Sequence, residues 1–266
     1  MPDAHDPMAH ELPKPPPSGD ELPWSGGPPV ESDRHADQVQ VLIETVETWL
    51  ARDPQHWVGH DQALYFSELQ SRRNDFRAPD FYVVLGVEPK ARKSWVVWEE
   101  EGRTPNVIIE VTSPTTRTID LTRKKRAYES IRVLEYFVYE PHTHELFGWR
   151  FAPEVNGYRP IQAEASGRMY CQQLGLELGL CDRPVGIHAP PLLRFFEDGV
   201  ARLTRQERIE LADQRTRAAE AETEQLRAAA EAARQDAENA RQQAMSDRVR
   251  LAALETELAR LRAGTD

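Results

Sequence analysis

Two carboxylates carry the most chemical information in this sequence: Asp80 in Arg-Ala-Pro-Asp-Phe-Tyr-Val-Val-Leu (77–85) and Glu110 in Asn-Val-Ile-Ile-Glu-Val-Thr-Ser-Pro (106–114). Each sits in a run of β-branched and aromatic residues, where burying a charge is costly unless a cation or hydrogen bonds offset it. A third group follows in Asp120-Leu-Thr-Arg-Lys-Lys-Arg-Ala-Tyr128, which reads as a helix. Its apolar stripe is Leu121, Tyr128 and Ile131, and Lys124 fills the gap in that stripe. Two strand carboxylates and an inward lysine are a minimal kit for metal-assisted phosphodiester hydrolysis: the acids hold Mg²⁺ or Mn²⁺, and the ammonium stabilises a negatively charged oxygen. Quieter readings stand beside this one. Asp80 could cap a turn after Pro79, Glu110 could pair with Arg77, Lys124 could snorkel to solvent, and Tyr128 could simply pack in the core.

The elements that must position these groups are short. From Asp37 to Leu50 the residues Val39, Leu42, Ile43, Val46, Trp49 and Leu50 recur at spacings of three and four, an amphipathic helix stopped near Asp53-Pro54. Strand-like runs follow at His56–His60, Ala63–Glu68, Ala78–Leu85, Ser94–Trp98 and Val107–Thr112. After the lysine-bearing helix come Leu134–Tyr139, a turn at Glu140-Pro-His-Thr-His, Leu146–Phe151 and Tyr158–Gln162. The order of helix, strands, helix and strands predicts an α+β or mixed α/β sheet in one domain, over 33–203. His142 and His144 flank the turn and read as exposed turn residues rather than a metal pair.

Both ends read differently. Residues 1–32 are rich in Pro, Gly, Asp and Glu and have too few apolar residues to fold alone, so a disordered arm is expected. Residues 204–266 carry a heptad pattern. Ile209, Thr216, Thr223, Ala230, Ala237, Ala244, Leu251 and Leu258 fall at one core position, and Ala212, Ala219, Leu226, Ala233, Ala240, Asp247, Leu254 and Leu261 at the other. A C-terminal coiled coil is expected, with its strongest layers at the leucines; a single solvated helix is the alternative.

Composition excludes several classes. With 39% hydrophobic residues and a mean hydropathy of -0.65, much of the chain is not core. No run approaches the length of a membrane span and no signal-peptide pattern opens the sequence, so a cytoplasmic protein without membrane contact is expected. Cys171 and Cys181 have no CxxC spacing and read as ordinary thiols. The net charge of -11 argues against avid non-specific nucleic-acid binding, yet segment 66–126 holds 12 Lys and Arg against 9 Asp and Glu. Basic charge is thus concentrated around the candidate site.

The string Ile109-Glu-Val-Thr-Ser-Pro-Thr-Thr-Arg-Thr-Ile-Asp-Leu-Thr-Arg-Lys-Lys-Arg-Ala-Tyr, with Ala78-Pro-Asp-Phe-Tyr-Val-Val before it and Leu134-Glu-Tyr-Phe-Val-Tyr-Glu-Pro after it, resembles the Uma-two type restriction endonuclease family of the PD-(D/E)XK nuclease superfamily. The resemblance spans roughly 38–200. It implies a restriction-endonuclease-like mixed β-sheet flanked by helices, with Asp80 and Glu110 as metal ligands. The superfamily lysine normally stands two residues after the Glu, where this chain has Thr112. The resemblance implies that Lys124 replaces it from the helix, with Lys125 as a fallback, and that Asp120, Lys125 and Tyr128 lie at the substrate. Glu44, Glu47 and Glu68 are possible further ligands. The expected function is a Mg²⁺- or Mn²⁺-dependent endonuclease acting on nucleic acid, DNA first. It would form a homo-oligomer through the domain or the coiled coil. The alternative is a catalytically degenerate nuclease-fold head on an oligomerisation or partner-binding tail.

Overall fold

The computed structural model describes residues 16–19, 22, 33–67, 76–183 and 191–263. The chain divides into two compact units, 1–205 and 206–266.

In the first unit, helix α1 (Asp33–Leu50) precedes strands β1 (His56–Gly59), β2 (Leu64–Tyr65), β3 (Phe81–Leu85), β4 (Trp95–Val96) and β5 (Val107–Val111). A single helix, α2, then runs through Arg117–Ile119, Asp120–Lys124 and Lys125–Ser130. After it come β6 (Glu135–Glu140), β7 (Glu145–Ala152) and β8 (Gly157–Pro160). Six of these strands form a mixed sheet in the order β1-β3-β5-β6-β7-β8. Only the central pair β5 and β6 is parallel, because α2 carries the chain back across the sheet. Strands β2 and β4 form a small parallel pair.

Period-two alternation divides the sheet's side chains between two cores. Phe81, Val83, Val107, Ile109, Val111 and Phe137 pack with Val39, Leu42, Ile43 and Val46 of α1. Tyr82, Val84, Ile108, Tyr136 and Val138 pack with Tyr128 of α2 and with Trp95. The sheet is buried on both faces, so its central strands read as unbroken apolar runs.

A second antiparallel sheet is absent from the sequence-based expectation. It comprises β9 (Met169–Cys171), β10 (Leu176–Cys181), β11 (Leu192–Glu197) and β12 (Val200–Ala201), in the order β12-β11-β10-β9. It joins the α1 core through Met169, Cys171, Leu176, Leu178, Leu193 and Phe195. Glu135 ties it to the first sheet by accepting from Arg150 Nε at 2.8 Å, from the Gln172 and Gln173 N–H groups, and from Cys171 Sγ at 3.1 Å.

The N-terminal arm also departs from expectation in its few described residues. Leu22 is buried with Ala63, Tyr65 and Val96. The Gly19 N–H donates to Glu99 Oε1 at 2.7 Å, and Trp98 Nε1 donates to the Pro17 carbonyl. The rest of 1–32 lies outside the described residues, as does Glu68. The second unit is one helix, α3 (Arg205–Ala263), whose Leu226, Met245, Val249, Leu251, Leu254 and Leu258 are exposed. No helix among the described residues is long and apolar enough to cross a membrane.

Candidate active site

Strand pairing brings the two carboxylates together. In the antiparallel β3–β5 ladder Phe81 pairs with Ile109. Continuing that register by one residue places Asp80 opposite Glu110 at the strand end. The Val111 N–H donates to Asp80 Oδ2 at 2.7 Å, and the Asp80 N–H approaches Glu110 Oε2 at 3.4 Å. Glu110 shares its strand face with Ile108, the face that α2 covers.

The loop before α2 is built to start a helix. The Ser113 N–H donates to Thr116 Oγ1 at 3.1 Å and the Thr116 N–H donates back to Ser113 Oγ at 3.3 Å, a reciprocal cap. Thr112, at the usual lysine position, points its hydroxyl at Thr116 Oγ1, 3.2 Å away. The helix is not a regular α-helix, as its sequence suggests. Asp120–Lys124 forms a π-helical turn, with the Lys125 N–H donating to the Asp120 carbonyl. The Tyr136 hydroxyl donates to that same carbonyl at 2.9 Å.

Lys124 Nζ lies 2.9 Å from Glu110 Oε2 and 2.9 Å from Asp120 Oδ1. The Tyr128 hydroxyl donates to Glu110 Oε1 at 2.8 Å. Both oxygens of Glu110 therefore have protein partners. Exposure sorts the cluster into a back wall and a mouth. The side chains of Glu110 and Asp120 are 0% and 2% exposed, whereas Lys124 is 21% and Asp80 16% exposed.

The electrostatics follow from several acids sharing one ammonium. Burial would lower the Lys124 ammonium, but the charges of Glu110, Asp80 and Asp120 outweigh it and hold the group above the ordinary lysine range. Burial, helped by the Asp80 and Asp120 charges, raises Glu110 well above the usual carboxyl range against the pull of Lys124. Asp80 goes the other way. Burial would raise it, but His35, the Lys124 charge and the Val111 N–H together hold it below the usual range. Tyr128 is pushed well up by burial and by the Glu110 charge.

Asp80, Glu110, Lys124, Asp120 and Tyr128 thus come together. Asp120 and Tyr128, however, are closed off from solvent, so neither offers the substrate contact expected of it; Asp120 braces Lys124 and Tyr128 braces Glu110. Lys125 is turned elsewhere, its ammonium 4.3 Å from the centroid of the Trp149 ring. Glu110 finds its cation in Lys124 rather than in Arg77. Glu44 accepts instead from Gln40 Nε2 and from the Arg205 N–H.

Two further residues at the mouth escape a reading of the sequence. His35, in the first turn of α1, places Nε2 3.3 Å from Asp80 Oδ1. Asp61, at a left-handed φ of 45°, is held near by its N–H donating to the Pro79 carbonyl at 3.1 Å. One ligand atom each from His35, Asp61 and Asp80 lie within 4.8 Å of one another. A carboxylate-rich donor set with an imidazole, set against one ammonium, fits a divalent cation.

Among curated proteins there is no match. A solved structure of "a putative nuclease belonging to DUF820" from Anabaena variabilis ATCC 29413 is similar at 12% identity and a TM-score of 0.43, over 60% of this chain and 92% of that one. That likeness is too loose to carry any conclusion. Residues 26–185, more than half of the chain, match Uma2, the family described as "Putative restriction endonuclease". The chain belongs to the Uma2 family.

Proposed function

We propose that the protein is a divalent-cation-dependent endonuclease that hydrolyses nucleic-acid phosphodiester bonds at the Asp80, Glu110 and Lys124 cluster. The observation that carries this reading is the partly exposed Lys124 ammonium, held against two buried carboxylates and beside Asp80 at the mouth of the site. A cation bound there supplies phosphate charge neutralisation and a water of lowered pKa. The chain's own residues do the rest. Lys124 stays protonated throughout the physiological range, so it donates to a phosphate oxygen as negative charge builds in the transition state. Asp120 and Glu110 aim the ammonium, and Tyr128 fixes Glu110. Asp80 presents Oδ1 outward because Oδ2 is occupied by the Val111 N–H.

Thr112 at the usual lysine position favours a second reading, a catalytically silent nuclease-fold head. One assay separates the two. Full-length protein is incubated with supercoiled plasmid and with single-stranded RNA, in Mg²⁺, Mn²⁺ or chelator. Cation-dependent cleavage that falls about 10²–10³-fold in Lys124→Ala supports the enzyme. No cleavage by wild type in either metal establishes the silent head.

A further inference from the structure

We propose that α3 pairs with the α3 of a second copy of this chain as a parallel, in-register two-stranded coiled coil, and that the charges flanking its apolar seam set both direction and register. This goes beyond the endonuclease reading and does not rest on it.

The seam is open and ready for burial. Every residue from 209 to 260 is exposed, and Ile209, Leu226, Leu251, Leu254 and Leu258 are between 50% and 65% exposed. All five fall at the a or d positions of one heptad frame that starts with Ile209 at a. Thr216 and Thr223, also at a, donate their hydroxyls to the Ala212 and Ala219 carbonyls at 3.1 and 2.8 Å, so neither needs a partner's group when the seam closes. β-branched residues at the first three a positions, with Leu226 and Leu254 at d, favour two strands.

The charges identify the occupant. In a parallel pair each g residue faces the e residue five positions further on in the partner. From 215 to 255 these pairings are Arg215–Glu220, Glu222–Arg227, Ala229–Arg234, Asp236–Arg241, Gln243–Arg248 and Arg250–Glu255. Four join opposite charges and none joins like charges. Within one helix residues five apart point about 140° away from each other, so this spacing serves only a second helix. A spacing of four does support a lone helix, and there 206–260 offers Asp213–Arg217, Arg227–Glu231 and Arg234–Glu238 against the like pair Glu220–Glu224.

The same charges reject the alternatives. An antiparallel pair sets e against e, and four successive e residues, Arg227, Arg234, Arg241 and Arg248, are arginine. A parallel pair slid by one heptad opposes Arg215 to Arg227 on one flank, and Glu222 to Glu220 and Arg250 to Arg248 on the other. Asp247 is the one charged core residue from 209 to 258; the partner's Arg248 borders its layer and faces only the neutral Gln243 across the pair. Parallel order puts both Arg205 residues at the same end, so both first units, each with its Lys124 cluster, join the pair there.

The experiment is sedimentation of full-length protein over a dilution series, which reads mass and dissociation constant. Wild type should reach two chains per particle. Glu255 has no charged residue three or four positions away in its own helix, so reversing it changes only the pairing. Glu255→Arg should raise the dissociation constant about 5- to 30-fold. Adding Arg250→Glu to it should bring the value back to within about 3-fold of wild type. Residue 219 meets its own copy only in the parallel, in-register pair, so Ala219→Cys should form a cross-linked dimer on mild oxidation, above the background from Cys171 and Cys181 in wild type. A monomer at every concentration, three or more chains per particle, or a dissociation constant unmoved by Glu255→Arg would each overturn the proposal. So would no recovery in the double variant, or a dimer that Ala219→Cys does not cross-link.

Discussion

Replacing Lys124 by methionine keeps the length and packing of the side chain and removes its charge. In the wild type this ammonium lies 2.9 Å from each of two carboxylates that have almost no exposed surface. Breaking a buried pair from one side costs about 3–5 kcal/mol, because the remaining charge is left without compensation. The cost should depend on pH in a definite sense. Lys124 has a raised folded pKa, so its contribution is fully present below the ordinary lysine value and is lost only as pH rises through the folded one. It is therefore constant across neutral pH. In the variant the acids that shared the ammonium, with Glu110 already raised, must take up a further proton in the folded state. One extra bound proton makes the variant lose about 1.4 kcal/mol per pH unit relative to wild type as pH rises. Between pH 6 and pH 8 the gap should widen by about 2.7 kcal/mol by the same linkage. Urea titrations of both proteins at the two pH values measure it. A destabilisation that is the same at pH 6 and pH 8, or one below about 1 kcal/mol at pH 8, would refute the picture of one ammonium serving several acids.

Tyr128→Phe strips Glu110 Oε1 of its hydroxyl donor within a closed site, so stability should fall by about 1–3 kcal/mol, and turnover should fall with little change in KM. Thermal melts and steady-state kinetics check both. In the tail, Leu251, Leu254 and Leu258 are at least half exposed in a single chain, and burial of each between two chains contributes about 1.5–3 kcal/mol before ordering costs. Changing all three to alanine should lower the mass seen by light scattering; an unchanged mass would rule out a tail-driven coiled coil.

How much of the site could be read from sequence depends on whether a residue breaks a pattern. Asp80 and Glu110 interrupt apolar runs and Lys124 interrupts an apolar stripe, and strand register then joins the first two without further information. His35 and Asp61 break nothing. His35 lies before Asp37, where the apolar periodicity of the helix begins, and Asp61 falls between the strand-like runs at 56–60 and 63–68; only tertiary contact makes them neighbours of Asp80. The second sheet was missed for a related reason. Its strands at 169–171 and 200–201 are too short for alternation to register, and Gly175 and Gly179 break up the apolar positions between 174 and 180. The π-helical turn has no sequence signature, because it is imposed by what the helix packs against.

That turn has a genetic consequence. Five residues, Asp120–Lys124, occupy a stretch in which one residue is surplus to a regular α-helix. Removing any one of residues 121–123 would let the helix become regular while leaving the facing of the residues beyond it nearly unchanged, because the wide turn rotates the chain about as far as one fewer residue of α-helix does. Lys124 and Tyr128 would then still meet Glu110. An in-frame loss of one codon should therefore be tolerated here and not further along the helix, where it would swing the residues beyond it by about 100°. A selection for inactive yet well-expressed alleles should recover substitutions of the charged residues rather than deletions at this spot.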